Sequence, residues 1–375
     1  MRKSFKSLSA ISLAVALSVG SVFAADVTKS QIDADFNLEK LIEAAKQEGS
    51  LTVYDNSSAV KKMAEAFEAK YGIKTTGVKV GTEDALGKII EEGKSKNVQG
   101  DVIAFQDLAA LTNILLPEGY VYSWVPADLQ KDIDETQQNP LTLVNDPNFW
   151  SYNTEVYDSC PISNLWELTD KKWKNKVALE DPESAVKILD WFSQMEQFGE
   201  DEMREAYKEH FGKDYKGKSA SKEWVDMLAK NNPILTNSNE DISAAVGAPN
   251  QKEPPVGLMA SSKFRNIETK GYKHGVCEGL KPWVGIAAPK NIVIATNSKN
   301  QNAAKLFVHF AMTEEGIKPQ IGDGKYSANL SIVQPDDPSN SGKHRENVFF
   351  FKSEGASNDW KNREIVKDDW RISHR

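Results

Sequence analysis

Between Ser50 and Phe105 the chain alternates short apolar runs with amphipathic ones, and this constrains the fold more than any other feature. Ser50–Tyr54 reads as a buried strand, and Val60, Met63, Ala64, Phe67 and Tyr71 then recur at helical spacing until Gly72. Ile73–Val80 predicts a second strand, Ala85–Gly93 a helix and Asp101–Phe105 a third strand. A βαβαβ order predicts a parallel sheet covered by helices. A further helix over Asn37–Gln47, stopped by Glu48-Gly49, precedes it.

A similar alternation restarts at Lys176–Leu179. It runs through helices at Ala185–Phe198, Ser221–Asn231 and Asp241–Val246, with strands at Pro233–Thr236 and Pro255–Met259. Trp283–Ala295 reads as a pair of short strands around Pro289-Lys290, and Gln301–Glu315 as one amphipathic helix. Phe349-Phe350-Phe351, Trp360 and Trp370 would dock a charged tail onto the body. At 375 residues the chain exceeds what one core serves. The expectation is α/β with two lobes. Lobe 1 would take residues 25–147 with a returning segment at 281–320, and lobe 2 residues 148–280 with a tail at 321–375.

The first 24 residues have the three parts of a secretory leader: basic Arg2, Lys3 and Lys6, the apolar run Leu8–Leu17, and an end at Val22-Phe23-Ala24. The apolar run is too short for a membrane span. No cysteine follows the cleavage point, so a periplasmic chain without a lipid anchor is expected. The net charge is −8, and loss of the three basic leader residues would take it to −11. Such a chain suits neither nucleic acid nor an anionic membrane. Cys160 and Cys277 are the only cysteines. In an oxidising compartment they either form a disulfide or stay as two buried thiols, and the spacing alone leaves both open.

In parallel α/β sheets, ligands gather where strands lead into helices. Those loops hold Asn56, Ser57 and Ser58; Gln106 and Asp107; Glu183 and Ser184; Ser238 and Asn239; and Ser261, Ser262, Lys263 and Arg265. Hydroxyls and amides beside helix N–H groups suit an anion or a polyol, although serine and asparagine there also serve as plain helix caps. Lys263 and Arg265 would neutralise a phosphate or carboxylate. Trp150 would supply an aromatic wall, or simply core.

Gly212–Ser219 matches the phosphate-loop pattern by letter, but a helix rather than a strand precedes it, so it reads as a basic surface loop. No nucleophile elbow is present, and the five histidines lack metal spacing. No catalysis, no metal and no cofactor are expected.

Glu48–Ser58 and Ala64–Ile73 resemble the opening of extracellular solute-binding proteins of ABC importers, in the type II group labelled iron(III), thiamine, polyamine or phosphonate binding. Trp150–Thr154 is similar to that group's first crossover strand, and Asn302–Phe307 with Thr313–Gly316 to its late helix. The resemblance implies two α/β lobes closing on a ligand, a partner permease in the inner membrane, and a monomer. Ferric-binding members use two adjacent tyrosines. This chain has only Lys325-Tyr326-Ser327 at the corresponding place, so ferric iron stands as the alternative ligand. Val246–Pro249, Ser261–Arg265 and Gly324–Ser327 look like a branch that binds hexose phosphates. Carried over by loop, this makes Ser57, Ser58, Asn239, Ser262 and Tyr326 the leading contacts for a small phosphorylated anion.

Overall fold

A computed structural model describes residues 29–374, so the leader lies outside the described residues. The strands are β1 (Ser50–Asp55), β2 (Lys74–Lys79), β3 (Val102–Phe105), β4 (Val121–Tyr122), β5 (Thr142–Asn153) and β6 (Val177–Glu180). They continue as β7 (Ile234–Thr236), β8 (Val256–Ala260), β9 (His274–Val276), β10 (Gly285–Ala295), β11 (Tyr326–Ser327) and β12 (Val348–Phe350). The helices that bear on the site are α1 (Leu38–Glu48), α2 (Ala59–Tyr71), α3 (Thr82–Ser95), α4 (Leu108–Ala110), α5 (Val186–Phe198) and α6 (Glu200–Phe211). They are followed by α7 (Ala220–Lys230), α8 (Asn239–Gly247), α9 (Asn266–Lys270), α10 (Gln301–Ala311), α11 (Glu314–Ile321), α12 (Ser341–His344) and α13 (Ala356–Ser373).

The sheet runs β2-β1-β3-β10-β5-β8-β6-β7. β1, β2 and β3 pair in parallel, as do β6, β7 and β8. These are the two groups that the alternating patterns predict. Between them lie two long antiparallel strands, β5 and β10, shared by both halves. Each belongs to two cores. Leu143 and Val144 of β5 pack with α1, α2 and α10, whereas Phe149 and Trp150 pack in the second core. Ile286 of β10 lies in the second core and Ile292 and Ile294 in the first. The fold is a two-lobe α/β architecture, and the strands change lobes at their middles.

Along the tail, Ile321 and Ala328 pack in the first core, while Tyr326, Val348, Phe349 and Trp370 pack in the second. Trp360 rests on a third cluster around Leu111 and Leu115. The tail therefore touches both lobes rather than one.

Two local expectations fail for physical reasons. Trp283–Ala295 is not a strand pair but one strand, β10, with a register shift at Lys290/Asn291 that absorbs the irregularity around Pro289. Gln301–Glu315 is not one helix, because α10 ends at Ala311 and Thr313 starts a new one by accepting from the Gly316 N–H. The predicted stop at Gly72 holds: it ends α2 at φ 71°, where a side chain would be strained. Gly212–Ser219 follows α6 as a largely exposed loop, without the strand that a phosphate loop needs. Cys160 and Cys277 are bonded, with Cα atoms 4.9 Å apart. No helix among the described residues is long and apolar enough to cross a membrane.

Candidate functional site

A cleft of about 480 Å³ opens between the lobes, over the middle of β5 at Asp146. One wall comes from the loops after β1, β2 and β3, and the other from the loops after β6, β7 and β8. This is the carboxyl edge of both parallel groups, where strands hand over to helices.

Three of the helix starts on this cleft lack a side-chain bond from the residue that precedes them. Ser58, Gly81 and Ala185 precede α2, α3 and α5, and none makes a side-chain cap bond. The fourth, α8, is capped by Ser238, as α1, α7 and α11 away from the cleft are by Asn37, Ser219 and Thr313. At α2 the first N–H groups are already taken, Ala59 by Ser57 Oγ at 3.2 Å and Val60 and Lys61 by the Ser57 and Ser58 carbonyls. The free N–H groups facing the cavity are therefore those that begin α3 and α5, each at the positive end of its helix dipole.

Beneath the cleft runs a polar network anchored on the crossover strand β10. Lys290 of β10 is fully buried and donates to Asp55 Oδ1 at 2.7 Å. Asp55 Oδ2 accepts from Gln320 at 2.6 Å, and Gln320 Oε1 accepts in turn from Lys325 Nζ at 2.8 Å. Lys325 also lies 3.4 Å from Ser57 Oγ. Gly324 (φ 85°) makes the approach to Lys325 feasible, since a Cβ there would strike Ser261 and Asp337. Lys325 is only 3% exposed, yet among the described residues no carboxylate lies within ion-pair distance of it. Burial pushes its pKa down, Lys290 pushes it further, and Asp146, Asp55 and Asp323 oppose. Buried charges ordinarily have partners, so this one stands ready for an anion.

Of the other cations lining the cleft, Lys79 is exposed at its mouth, and Lys187, Lys263 and Arg265 are already paired. Lys187 reaches Glu180 at 3.2 Å, Lys263 reaches Glu240 at 2.8 Å and Arg265 reaches Asp323 at 3.4 Å. Burial works against ionised Glu240, but Lys263 and Lys270 hold it down to about 2. Asn56 donates to Gln106 at 2.7 Å, and Gln106 donates to Asp146 Oδ2 at 3.2 Å. Asn239 Oδ1 accepts from the Ala260 N–H at 2.7 Å.

Of the residues chosen by loop position, Asn56, Ser57, Ser58, Gln106, Ser184, Asn239, Ser262, Lys263 and Arg265 line this cleft. The structure places the others elsewhere. Trp150 is core, packed edge-on to Trp191. Tyr326 is wholly buried with its hydroxyl donating to the Ser341 carbonyl, because β11 turns it away from the cavity that Lys325 enters. Asp107 caps Ala110 and pairs with Arg363. Glu183 pairs with Arg371 on the outer surface, and Ser238 caps α8. Ser261 is buried and donates to the Asp323 carbonyl.

Loop reasoning passed over Lys325, Lys187, Asp146, Glu180, Asp323 and Lys79, which line the cleft too. Lys325 had a signal, because it stands inside Gly324–Ser327. Asp146 had none, since it sits mid-strand before a proline.

Residues 62–347 match the family model described as bacterial extracellular solute-binding protein, and the chain belongs to that family. It is a family of binding proteins, and the two-lobe type II architecture agrees with it. No curated protein matches the sequence. Among solved structures, iron-bound HitA from Pseudomonas aeruginosa is similar at TM-score 0.66 and 18% identity, over 87% of this chain and 99% of that one. The periplasmic binding protein AfuA from Actinobacillus pleuropneumoniae, with fructose-6-phosphate bound, gives 0.64 and 19% over 87% and 98%. The Trichodesmium protein IdiA (FutA), in complex with iron and citrate, gives 0.63 and 16% over 87% and 99%. These likenesses concern the fold.

Proposed function

We propose that this protein captures a small phosphorylated solute, such as a sugar phosphate, in the cleft and delivers it to an ABC permease of the inner membrane. It would do so as a periplasmic monomer. The observation that carries this reading is Lys325, a buried ammonium with no carboxylate partner, beside Ser57 at the start of α2. Ligand oxygens would take charge-assisted bonds from Lys325 and bonds from Ser57, Ser58 and the N–H groups that begin α3 and α5. The lobes, divided where β5 and β10 change core, would close over the ligand by bending at those strands. The AfuA likeness is consistent with this substrate class. The ferric alternative gains nothing from the site: among the described residues no tyrosine or histidine lines the cleft, and the Tyr326 hydroxyl is engaged by Ser341.

Isothermal titration with sugar phosphates, phosphonates, citrate and ferric salts tests the reading. Heat with sugar phosphates is expected. A ferric signal without it would sink the proposal. Lys325→Met should weaken the phosphorylated ligand by about 10- to 100-fold, the worth of a hydrogen bond to a charged group. Affinity should also fall as pH rises, beginning below the ordinary lysine range near ~10.4, because the lowered pKa of Lys325 lets its proton go early. Flat affinity up to that range would contradict a charged Lys325 at the ligand.

A further inference from the structure

Once internal pairs are set aside, the cleft floor keeps two opposite charges without an ion-pair partner among the described residues. One is Lys325. The other is Asp146, at the middle of β5, opposite Ala288 of β10 where the crossover strands change lobes. Gln106 occupies Asp146 Oδ2, but Oδ1 has no hydrogen-bond partner and is shielded from bulk water. Burial by itself would raise this carboxyl, yet Lys325, Lys290 and Lys187 together hold it below the usual range. It is therefore an ionised, acceptor-only group. An anion settling on Lys325 meets this negative charge nearby, and a ligand that offers only oxygen acceptors is repelled by it. A ligand that also carries an O–H or N–H turns the same carboxylate into a strong partner.

We infer that Asp146 is a specificity-determining residue, admitting anions that bring their own hydrogen-bond donor, such as polyol phosphates, and rejecting anions that bring none. The inference rests on the proposed capture of an anion at Lys325. It assigns the two ends of the ligand: the anionic group lies toward β11 and the start of α2, and the hydroxyl-bearing body over β5. Because Asp146 sits where the strands cross between lobes, its bond to the ligand forms at the point about which closure turns.

The test uses titration calorimetry at about pH 8, where a phosphate monoester is dianionic and keeps no P–O–H of its own. Glycerol 3-phosphate, glucose 6-phosphate and fructose 6-phosphate are compared with methyl phosphate and sulfate. At least one polyol phosphate should bind about 10- to 100-fold more tightly than methyl phosphate, as expected for hydrogen bonds to a charged group. Asp146→Asn keeps the shape and removes the charge. It should weaken that polyol phosphate by about tenfold or more while methyl phosphate and sulfate bind more tightly, so that the preference collapses. Methyl phosphate binding as well as the polyol phosphates would overturn the role of Asp146 and leave anion capture standing. So would an Asp146→Asn variant that weakens every ligand equally. Failure of all five anions, with the wild-type protein folded by circular dichroism, would overturn both readings. Asp146→Leu, compared for thermal stability, separates loss of the acceptor from loss of fold.

Discussion

Replacing Arg363 by methionine should lower the unfolding free energy by about 3–5 kcal/mol, the usual cost of removing one partner from a buried ionic group. Arg363 lies on α13 and is almost wholly enclosed. Its guanidinium bonds to Asp107 Oδ2 at 3.0 Å and Oδ1 at 2.6 Å, and to Asp190 Oδ1 at 2.8 Å and Oδ2 at 2.7 Å. Asp107 ends the loop after β3 in the first lobe, and Asp190 belongs to α5 in the second. The tail helix therefore clasps both lobes through one side chain, with Trp360 stacked over it at 5.3 Å.

One cation cannot neutralise two buried carboxylates with Asp359 also near. Burial first, and then these like charges, push Asp190 up to about 7 despite its bonds to Arg363. The sign of the pH effect follows. A carboxyl raised in the folded state binds more protons there than in the unfolded chain, so stability is lost as pH rises from about 4 toward 7. Without Arg363 the Asp190 carboxyl is raised further, so the variant's deficit should be largest near pH 8 and shrink toward pH 5. Urea unfolding at the two values measures it. A cost below about 1 kcal/mol, or the same cost at both pH values, would show that the clasp does not hold the lobes. Arg363→Met combined with Asp107→Asn and Asp190→Asn should recover much of the loss, because no uncompensated charge then remains.

The parallel groups were legible because both strand and helix periods are local. Val60 to Tyr71 declares a helix whatever surrounds it, and Gly72 declares its end. The crossover strands were legible only in part. Their residues are buried on both faces, so β10 reads as a featureless apolar run in which Pro289 looks like a break. At the site, loop position found the hydroxyl and amide donors, since strand-to-helix loops are visible in sequence. It could not separate Lys325, which enters the cleft, from Tyr326 beside it, which does not. Successive residues of a strand point to opposite faces, and register decides which face is the cavity. Asp146 and Arg363 were beyond reach for a different reason. Each acquires its role from residues remote in sequence, Asp146 from Lys187 to Lys325 and Arg363 from Asp107 and Asp190.

Removing the Cys160–Cys277 bond should have the largest effect on stability, about 5 kcal/mol for a closed loop of this length when only the entropy of the unfolded chain is counted. The two residues lie 117 positions apart, and the enclosed stretch holds β6 through β9 with α5 through α9. That is most of the second lobe. Cys277 is itself fully buried in the second core, and Cys160 packs against it from the loop after β5. The cross-link thus closes the second lobe on itself without reaching the first. Its loss should fall unevenly: in Cys160→Ala/Cys277→Ala the second lobe should unfold at lower denaturant, while β1–β3 with α1, α2 and α10 keep their own core around Phe67 and Phe307. Hydrogen exchange would resolve the two, with amides of β6 and β8 losing protection first and those of β1 and β3 nearly unchanged. Equal loss in both lobes would mean that the α13 clasp makes them one cooperative unit, and a change under about 1 kcal/mol would mean that the unfolded second lobe is already compact without the bond. Ligand affinity should drop less than stability, since neither cysteine lines the cleft and the folded fraction keeps Lys325, Ser57 and Asp146 in place.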